Sequence, residues 1–209
     1  MMSNKRLLFG LLLLVIGGWT LSSCTKNDDT TIVAIGTEYY IDDILSVIPD
    51  SLQADFMAKF GDIPEGAIPP KIEGGYKIDP KVRIGSNLEG WPLLTEPHPV
   101  LLKLKRQHNG VAAINLFEEE ENVTDSVFVC GRDTNFAIYY IEEKDYELAW
   151  LRRGVIIKGQ KTEQGIADLR MAQIVLETED HTNGQHIPSP VGTYYLYKDG
   201  DGLAEYYDW

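Results

Sequence analysis

Cysteine and basic residues are scarce in this chain of 209 residues. It contains two cysteines, Cys24 and Cys130, so a framework of disulfide bonds does not hold its fold together. Nineteen lysines and arginines stand against 32 aspartates and glutamates, which gives a net charge of −13 at pH 7. Nucleic-acid binding needs a basic surface, so this charge balance argues against DNA or RNA as a partner. Hydrophobic residues at 44% and charged residues at 24% are ordinary for a folded domain, which excludes wholesale disorder.

The chain also lacks the short motifs of common catalytic sites. It has no Gly-x-Ser-x-Gly elbow, no glycine-rich phosphate loop and no His-Glu-x-x-His sequence. His181 and His186 stand near Glu179 and Asp180, but in a turn-rich segment without the regular spacing of metal ligands. We therefore predict no metal, no cofactor and no enzymatic activity. A hydrolase that uses two dispersed carboxylates is the alternative, because 32 acidic residues supply many pairs.

No apolar run is long enough to span a membrane as a permanent helix. The longest, Leu7–Ile16, follows two basic residues and has ten residues, whereas a bilayer core requires about 20. This arrangement is typical of a cleavable export signal over residues 1–23. Leu21-Ser22-Ser23-Cys24 then resembles a bacterial lipobox. We therefore expect cleavage between Ser23 and Cys24 and lipid attachment to Cys24; an ordinary secretory signal with a chance cysteine is the alternative.

Residues 24–36 are expected to form a flexible tether behind the lipidated cysteine. Lys26 followed by Asp28 and Asp29 resembles the surface-export signal of Bacteroidetes lipoproteins, with a plain solvated tether as the alternative. Each buried CH₂ of an acyl chain contributes about 0.8 kcal/mol, so two or more chains anchor a protein stably. We therefore predict a lipid-anchored protein of the bacterial outer membrane that faces the cell exterior. Removal of residues 1–23 leaves 17 basic and 32 acidic residues, a net charge of −15.

Apolar residues at helical spacing predict two short helices at the start of the mature domain. The first spans Tyr39–Ile48. Ser51 is expected to cap the second, Leu52–Phe60, and Gly61 stands just past its end. Prolines and glycines then predict a loop, so residues 37–68 form a helical segment with its following loop.

Residues 69–209 are expected to form a mainly β domain. Apolar residues between turn signals predict eight strands, and Asn109-Gly110 is the clearest hairpin turn. Sequential strands usually pair, and eight antiparallel strands can close around a core or one small ligand. We therefore predict an eight-stranded antiparallel up-and-down barrel, with a β-sandwich as the alternative. The predicted strands are residues 72–78, Val100–Arg106, Val111–Phe117, Ser126–Cys130, Asn135–Ile141, Arg153–Lys161, Leu169–Thr178 and Thr193–Lys198.

A set of turns and strand starts between residues 69 and 205 carries a family resemblance. Its segments are Pro69–Tyr76, Phe136–Tyr140, Ile156–Gly159 with Gly165-Ile166, and Val191–Tyr194 through Asp199–Ala204. These segments resemble an uncharacterised group of Bacteroidetes surface lipoproteins, which is similar to lipocalin-like (calycin-type) eight-stranded barrels. Because the shared motifs are structural, the resemblance implies a fold and not a reaction, and it brings no catalytic residues.

Three further features are assigned structural roles. Cys130 closes an apolar run and is expected to be a buried small hydrophobe. Asp199-Gly200-Asp201-Gly202 predicts a tight turn, because the spacing that an EF-hand calcium loop requires is not present. Glu118–Glu121 predicts a solvated acidic loop, since adjacent carboxylates repel one another.

Aromatic residues concentrate near the C-terminus. On the last predicted strand, Tyr195 and Tyr197 share one face, and Tyr194 shares the other with Leu196. One face must fill the core, and the other would offer an aromatic surface for sugar rings or another protein. We take Tyr194, Tyr195 and Tyr197 as candidate ligand-binding residues of a non-catalytic binding or interaction module. Its partner would be a small apolar or glycan ligand or a protein; an accessory scaffold with a solid barrel is the alternative.

Overall fold

The computed structural model describes residues 41–88, 99–117, 121–182 and 189–208. Two short helices precede ten strands, and all ten belong to one antiparallel sheet. The predicted signal peptide, residues 1–23, and tether, residues 24–36 with Cys24, lie outside the described residues. The elements are α1 Ile41–Ser46, α2 Asp50–Phe60, β1 Gly74–Ile78, β2 Lys81–Ser86, β3 Val100–His108, β4 Val111–Phe117, β5 Glu121–Arg132, β6 Asn135–Asp145, β7 Ala149–Lys161, β8 Gly165–Asp180, β9 Tyr194–Asp199 and β10 Leu203–Tyr206.

Eight strands of this sheet close into a ring. From β1 through β3, β4, β5, β6 and β7 to β8, each strand pairs antiparallel with the next, and β10 pairs with both β8 and β1 to complete the circle. β9 also pairs with β8, farther along β8 than the residues that pair with β10, and β2 pairs with β9. β1 with β2 is therefore one bent strand, and β9 with β10 is another. The predicted mainly β fold, an antiparallel up-and-down arrangement of eight sequential strands, is confirmed in this form.

The bends in the first and last strands differ from the sequence prediction. Asp199–Gly202 is a turn, as predicted, but it does not end the sheet. The pairs Tyr194–Ile174 and Glu205–Gly165 show that β9 and β10 run in the same direction along one edge of β8. The sequence pattern misses β10 because it is only four residues long and follows a stretch of glycine and aspartate that breaks the alternation.

Two strand starts also differ from the prediction. β5 begins at Glu121, five residues before the expected Ser126, because its first residues pair with β4 as far as Phe117. Glu121 therefore belongs to a strand and not to a solvated loop, while Glu118–Glu120 lie outside the described residues. β8 begins at Gly165, four residues before the expected Leu169, because both β7 and β10 pair with its start. Tertiary pairing extends strands beyond their apolar core.

The two predicted helices are present. α1 is described from Ile41, because Tyr39 and Tyr40 of the predicted helix lie outside the described residues, and it ends at Ser46, before the expected Ile48. α2 begins earlier than expected, so Ser51 lies inside the helix and Pro49 occupies the N-cap without a side-chain hydrogen bond. Gly61 ends α2 as predicted, with a φ of 79° and its N–H donating to the carbonyl of Met57 at 2.7 Å. Among the described residues, no helix has the length and apolarity needed to cross a membrane.

Two apolar clusters lie on opposite faces of the sheet. Alternate side chains, such as Phe136, Ile138 and Tyr140 of β6, point into the ring and form the inner cluster. The intervening side chains, such as Ala137 and Tyr139, point outward and pack with the apolar faces of α1 and α2 in the outer cluster. Each fully buried side chain of this size contributes roughly 1.5–3 kcal/mol. Where the helices cover the sheet, alternate side chains of one strand therefore pack into the ring, and the side chains between them pack against the helices.

Cationic side chains and a glycine fix the helices to the sheet. Arg170 donates from Nη1 to the carbonyl of Lys59 at 2.8 Å, and Lys158 donates from Nζ to the carbonyl of Asp62 at 2.7 Å. Both cations therefore lie at the negative end of the α2 dipole. Burial and the charge of Arg170 lower the pKa of Lys158. Ile44 of α1 packs directly over Gly154 of β7, where a Cβ atom would collide with it.

We predict that Gly154→Ala lowers stability by about 1–3 kcal/mol, because the new methyl group displaces Ile44 and with it α1. Urea unfolding at fixed pH measures this change. Ile44→Ala alone opens a cavity, at a cost of about 2–5 kcal/mol. The double variant should be less destabilised than the sum of the single variants by at least about 0.5 kcal/mol. Strict additivity would show that Ile44 does not rest on Gly154.

Candidate binding site in the open half of the ring

Among the described residues, backbone pairing joins all neighbouring strands of the ring in only one of its two halves. β5 and β6 pair from Arg132–Asn135 to Phe128–Tyr139, and beyond that point β6 pairs with β7 alone among the described strands. In the same way, β1 pairs with β3, whereas β2 pairs only with β9 among them. As far as the strands are described, the ring therefore has one half in which all neighbouring strands pair, the closed half, and one half in which they do not, the open half. In the open half, β3–β5 form one wall and β6–β9 with β2 form the other. All of these strands belong to one antiparallel sheet, so the described residues do not form the two sheets of the predicted β-sandwich alternative.

The closed half is filled by apolar and aromatic side chains. Tyr76 is fully buried and donates its hydroxyl to the carbonyl of Ile72 at 2.9 Å. Burial raises the pKa of Tyr76 to about 12, so it is neutral at physiological pH. The ammonium group of Lys161 lies 4.2 Å from the centre of the Tyr206 ring, and burial lowers the pKa of Lys161. This end is a packed core.

Charged and amide side chains replace apolar ones on the inward face of the open half. Glu142 follows the inward-facing Tyr140 by two residues and is the cross-strand partner of Arg153. Its carboxylate accepts a hydrogen bond from Nη2 of Arg153 at 2.7 Å, and the two side chains are 12% and 13% exposed. Nη1 of Arg153 also donates to Oε1 of Gln173 at 3.5 Å, and Gln173 is buried. These three side chains form a largely buried polar bridge across β6, β7 and β8.

Two further cations lie over tyrosine rings beside this bridge. The guanidinium carbon of Arg83 lies 5.6 Å from the ring centre of Tyr197 and 5.9 Å from that of Tyr195. The ammonium group of Lys81 lies 4.5 Å from the ring centre of Tyr197. Lys81 and Arg83 are both at least nine-tenths buried, and Tyr195 shares a hydrogen bond of 2.8 Å with Ser189. We call Arg83, Glu142, Arg153, Gln173, Tyr195 and Tyr197 the interior polar cluster.

Burial makes the interior polar cluster energetically costly. Several kcal/mol are lost for each ion removed from water, and attraction within a buried pair often only balances that loss. Apolar residues of similar size would therefore serve a purely structural ring at least as well. Cations over tyrosine faces recover about 0.5–2 kcal/mol each. Directional hydrogen-bonding groups at one end of an apolar enclosure are typical of ligand-binding pockets.

The three tyrosines predicted as candidate site residues lie on two faces. Tyr195 and Tyr197 point into the ring and belong to the interior polar cluster. Tyr194 points outward, is fully buried against Phe56 of α2, and donates its hydroxyl to Asp55 at 2.6 Å. Burial, and then the Asp55 carboxylate, raise the pKa of Tyr194. The predicted alternation along this strand is thus confirmed, but neither face is an exposed aromatic surface, and Tyr194 attaches α2 to the sheet.

Sequence reasoning missed the charged members of the interior polar cluster. Glu142 and Arg153 stand at inward positions, two residues from Tyr140 and Val155 respectively. The sequence does show a charged residue at an alternate position that should face the core, and such a residue indicates a candidate functional position. Arg83 carried no such signal, because β2 was not predicted as a strand.

Other predicted features lie apart from this cluster. Cys130 is buried in the outer cluster, as predicted, and its thiol donates to the carbonyl of Pro64 at 3.3 Å. His181 lies 3.6 Å from Asp145 near the β6–β7 turn, while His186 lies outside the described residues. Within the described ranges, no group of three or more histidine, cysteine, aspartate or glutamate residues could hold a metal ion.

Comparison with known proteins finds no matching family model, curated protein or solved structure. The resemblance to Bacteroidetes surface lipoproteins therefore stays a prediction.

We predict that Glu142→Leu lowers stability by about 1–3 kcal/mol, because it removes a charged hydrogen-bond acceptor from the largely buried guanidinium group of Arg153. The double variant Glu142→Leu/Arg153→Met should recover most of this loss. Glu143→Leu, one position along the same strand, is the matched control. Glu143 is more than half exposed beside Arg152, so its loss should cost at most about 1 kcal/mol. Equal losses for Glu142→Leu and Glu143→Leu in urea unfolding would contradict the buried ion pair.

Proposed function

We propose that this protein is a lipid-anchored binding protein of the bacterial outer membrane that faces the cell exterior and holds a small ligand in the open half of its ring. The observation that carries this proposal is the interior polar cluster. A largely buried ion pair, a buried amide and an arginine over two tyrosines are grouped on the inward face of one half of the ring. The function is binding and not catalysis.

The chemistry of the interior polar cluster favours a glycan over a purely apolar ligand. An apolar molecule against Arg153 and Glu142 would complete their desolvation and return no hydrogen bonds. A sugar carries hydroxyl groups that can both donate to Glu142 or Gln173 and accept from the arginines. Its C–H faces can pack against tyrosine rings, and Tyr195 is partly buried at the edge of the inner cluster. A glycan with one face against Tyr195 would therefore supply both hydrogen bonds to the charged and amide groups and an apolar face to the tyrosine ring.

An accessory scaffold is the second candidate function, and the closed half supports it. Tyr76 and Phe136 are fully buried there and fill the ring in that half. A ring whose open half is equally filled by its own side chains would bind a protein partner on its outer surface. This candidate predicts that no small molecule accompanies the purified protein.

The lipid anchor and the ring can act at a distance from each other. Sixteen residues separate Cys24 from Ile41, where the described helix α1 begins. A chain of this length reaches at most about 55 Å when fully extended, at roughly 3.3–3.6 Å per residue. The net charge of −15 after signal removal disfavours close contact with anionic lipid headgroups. Anchoring at Cys24 is therefore compatible with a ligand-binding ring that is held away from the membrane surface.

We predict that Tyr195→Leu removes ligand from the protein, because it takes away the ring beside Arg83 and the hydroxyl that bonds to Ser189. The test is native mass spectrometry of the full-length chain purified in detergent from its own cells. The intact protein should carry a reproducible extra mass of carbohydrate composition, reduced at least about tenfold in Tyr195→Leu. Tyr207→Leu, an exposed tyrosine beyond the end of β10, is the matched control and should keep the mass.

Two outcomes would contradict the binding proposal. An extra mass retained in Tyr195→Leu would place the ligand outside the interior polar cluster. A bare mass for the intact protein, together with no binding on a glycan array, would favour the scaffold function.

We predict that Cys24→Ala abolishes lipidation, because the thiol of Cys24 is the expected acceptor of the acyl group. Cells grown with labelled palmitate should label the intact protein and not the variant. Cys130→Ala is the matched control, since Cys130 is buried and should not affect labelling. Label incorporation by Cys24→Ala would show that the lipobox interpretation is wrong.

A further inference from the structure

We propose that the seam closing the ring is a pH-dependent latch, in which the buried carboxyl group of Asp199 shares a proton with Asp201 when the seam is shut. The seam is the pairing of β1 and β2 with β9 and β10. This pairing completes the circle, and β2 and β9 also form part of one wall of the open half. Its stability therefore bears on how tightly the ring is held closed.

Asp199 lies where both seam strands bend. It is the last residue of β9, is 2% exposed, and faces Lys81, the first residue of β2. Oδ1 of Asp199 accepts a hydrogen bond from the backbone N–H of Asp79 at 3.0 Å. Gly200 next to it donates its N–H to the carbonyl of Pro80 at 2.8 Å. These two hydrogen bonds join the bend between β1 and β2 to the bend between β9 and β10.

The second carboxylate oxygen of Asp199 is buried without a hydrogen-bond partner among the described residues. The carboxyl group of Asp201 lies within hydrogen-bonding reach of Asp199, and Oδ1 of Asp201 accepts the N–H of Leu203 at 3.0 Å. Two ionised carboxylates in this position would repel each other. A proton on Asp199 converts the repulsion into an O–H···O⁻ hydrogen bond, which is among the stronger kinds in proteins.

Cations near Asp199 are engaged with other groups. Lys81 faces it across the seam but extends its ammonium over the Tyr197 ring at 4.5 Å. Lys77 of β1 forms an ion pair of 2.6 Å with the side chain of Asp79. On β8, Arg170 pairs with Asp168 at 3.2 Å and faces Lys198. The charged groups on these stretches of β1, β2, β8, β9 and β10 and on the turns between them are thus Lys77, Asp79, Lys81, Arg83, Asp168, Arg170, Lys198, Asp201 and Glu205.

The direction of the pH effect follows from the environment of Asp199. Burial, and then its hydrogen bond with Asp201, raise the pKa of Asp199 to about 6, above the ordinary value of 3.8 that the open seam restores. The hydrogen bond from Asp199 lowers the pKa of Asp201, so Asp199 holds the shared proton. The protonated form of Asp199 therefore favours the closed seam. The shared-proton bond needs Asp199 protonated and Asp201 ionised, so its stabilisation is lost as the pH rises through about 6 and also as the pH falls far enough to protonate Asp201.

Hydrogen–deuterium exchange on the full-length chain in detergent tests the latch. After correction for the intrinsic exchange rate, amides of β2 and β9 should open about tenfold more readily at pH 8 than at pH 5. Amides of the β5–β6 hairpin, across the ring, should not change. Asp199→Asn keeps the acceptor for Asp79 and can donate to Asp201, so it should hold the seam closed at both pH values. Asp133→Asn, an exposed turn aspartate, should behave like the unaltered protein.

Two results would overturn the proposal. The first is an unchanged pH dependence of seam exchange in Asp199→Asn. The second needs no variant: a ¹³C carboxyl titration of the unaltered protein in which Asp199 ionises near pH 4 would exclude the shared proton. An Asp199 carboxyl that ionises near pH 6 would support it. Neither measurement involves a ligand, so failure of the latch would leave the proposed binding function intact.

Discussion

Closure of the ring by β10 is the constraint on which the rest of the structure depends. β10 has four residues, yet it pairs with β8 on one side and β1 on the other. A ring has no free strand edge where it is closed, so its backbone N–H and carbonyl groups are satisfied within the sheet. Where the ring is closed, its interior is a packed apolar core. The Glu142–Arg153 pair continues the inward face of that core, so its desolvation carries a cost that needs an explanation.

The same sheet supports a second core on its outer face. α1 and α2 are short, at six and eleven residues, and would be marginal alone in water. They are held by Ile44 over Gly154, by the Tyr194 hydroxyl on Asp55, and by Lys158 and Arg170 at the end of α2. β9 therefore belongs to both cores. Its outward tyrosine anchors a helix while its inward tyrosines contact the interior polar cluster, so alternation along one strand separates structural from candidate functional side chains.

Local signals predicted most of the fold, and long-range pairing explains what they missed. Alternation and the Asn109-Gly110 turn placed the central strands, because each depends on neighbouring residues; both turn residues have positive φ, as this turn requires. The bends at Pro80 and Asp199–Gly202 interrupt alternation, so β2 and β10 appear only when their partners β9 and β8 are known. Glu142 and Arg153 continue the inward alternation of β6 and β7, but their pairing with each other appears only when those two strands are aligned.

The proposed ligand-binding site and the proposed pH-dependent latch both include residues of β9. Tyr195 and Tyr197 contribute to the interior polar cluster, and Asp199, two residues further on, closes the seam beside Lys81. Loss of a proton from Asp199 adds a negative charge next to the cations that lie over Tyr197, and it weakens the pairing that holds β2 against β9. Charge and geometry at the candidate site would then change together. A strand that is shared between the ring seam and the polar interior therefore places the proposed latch beside the proposed binding site.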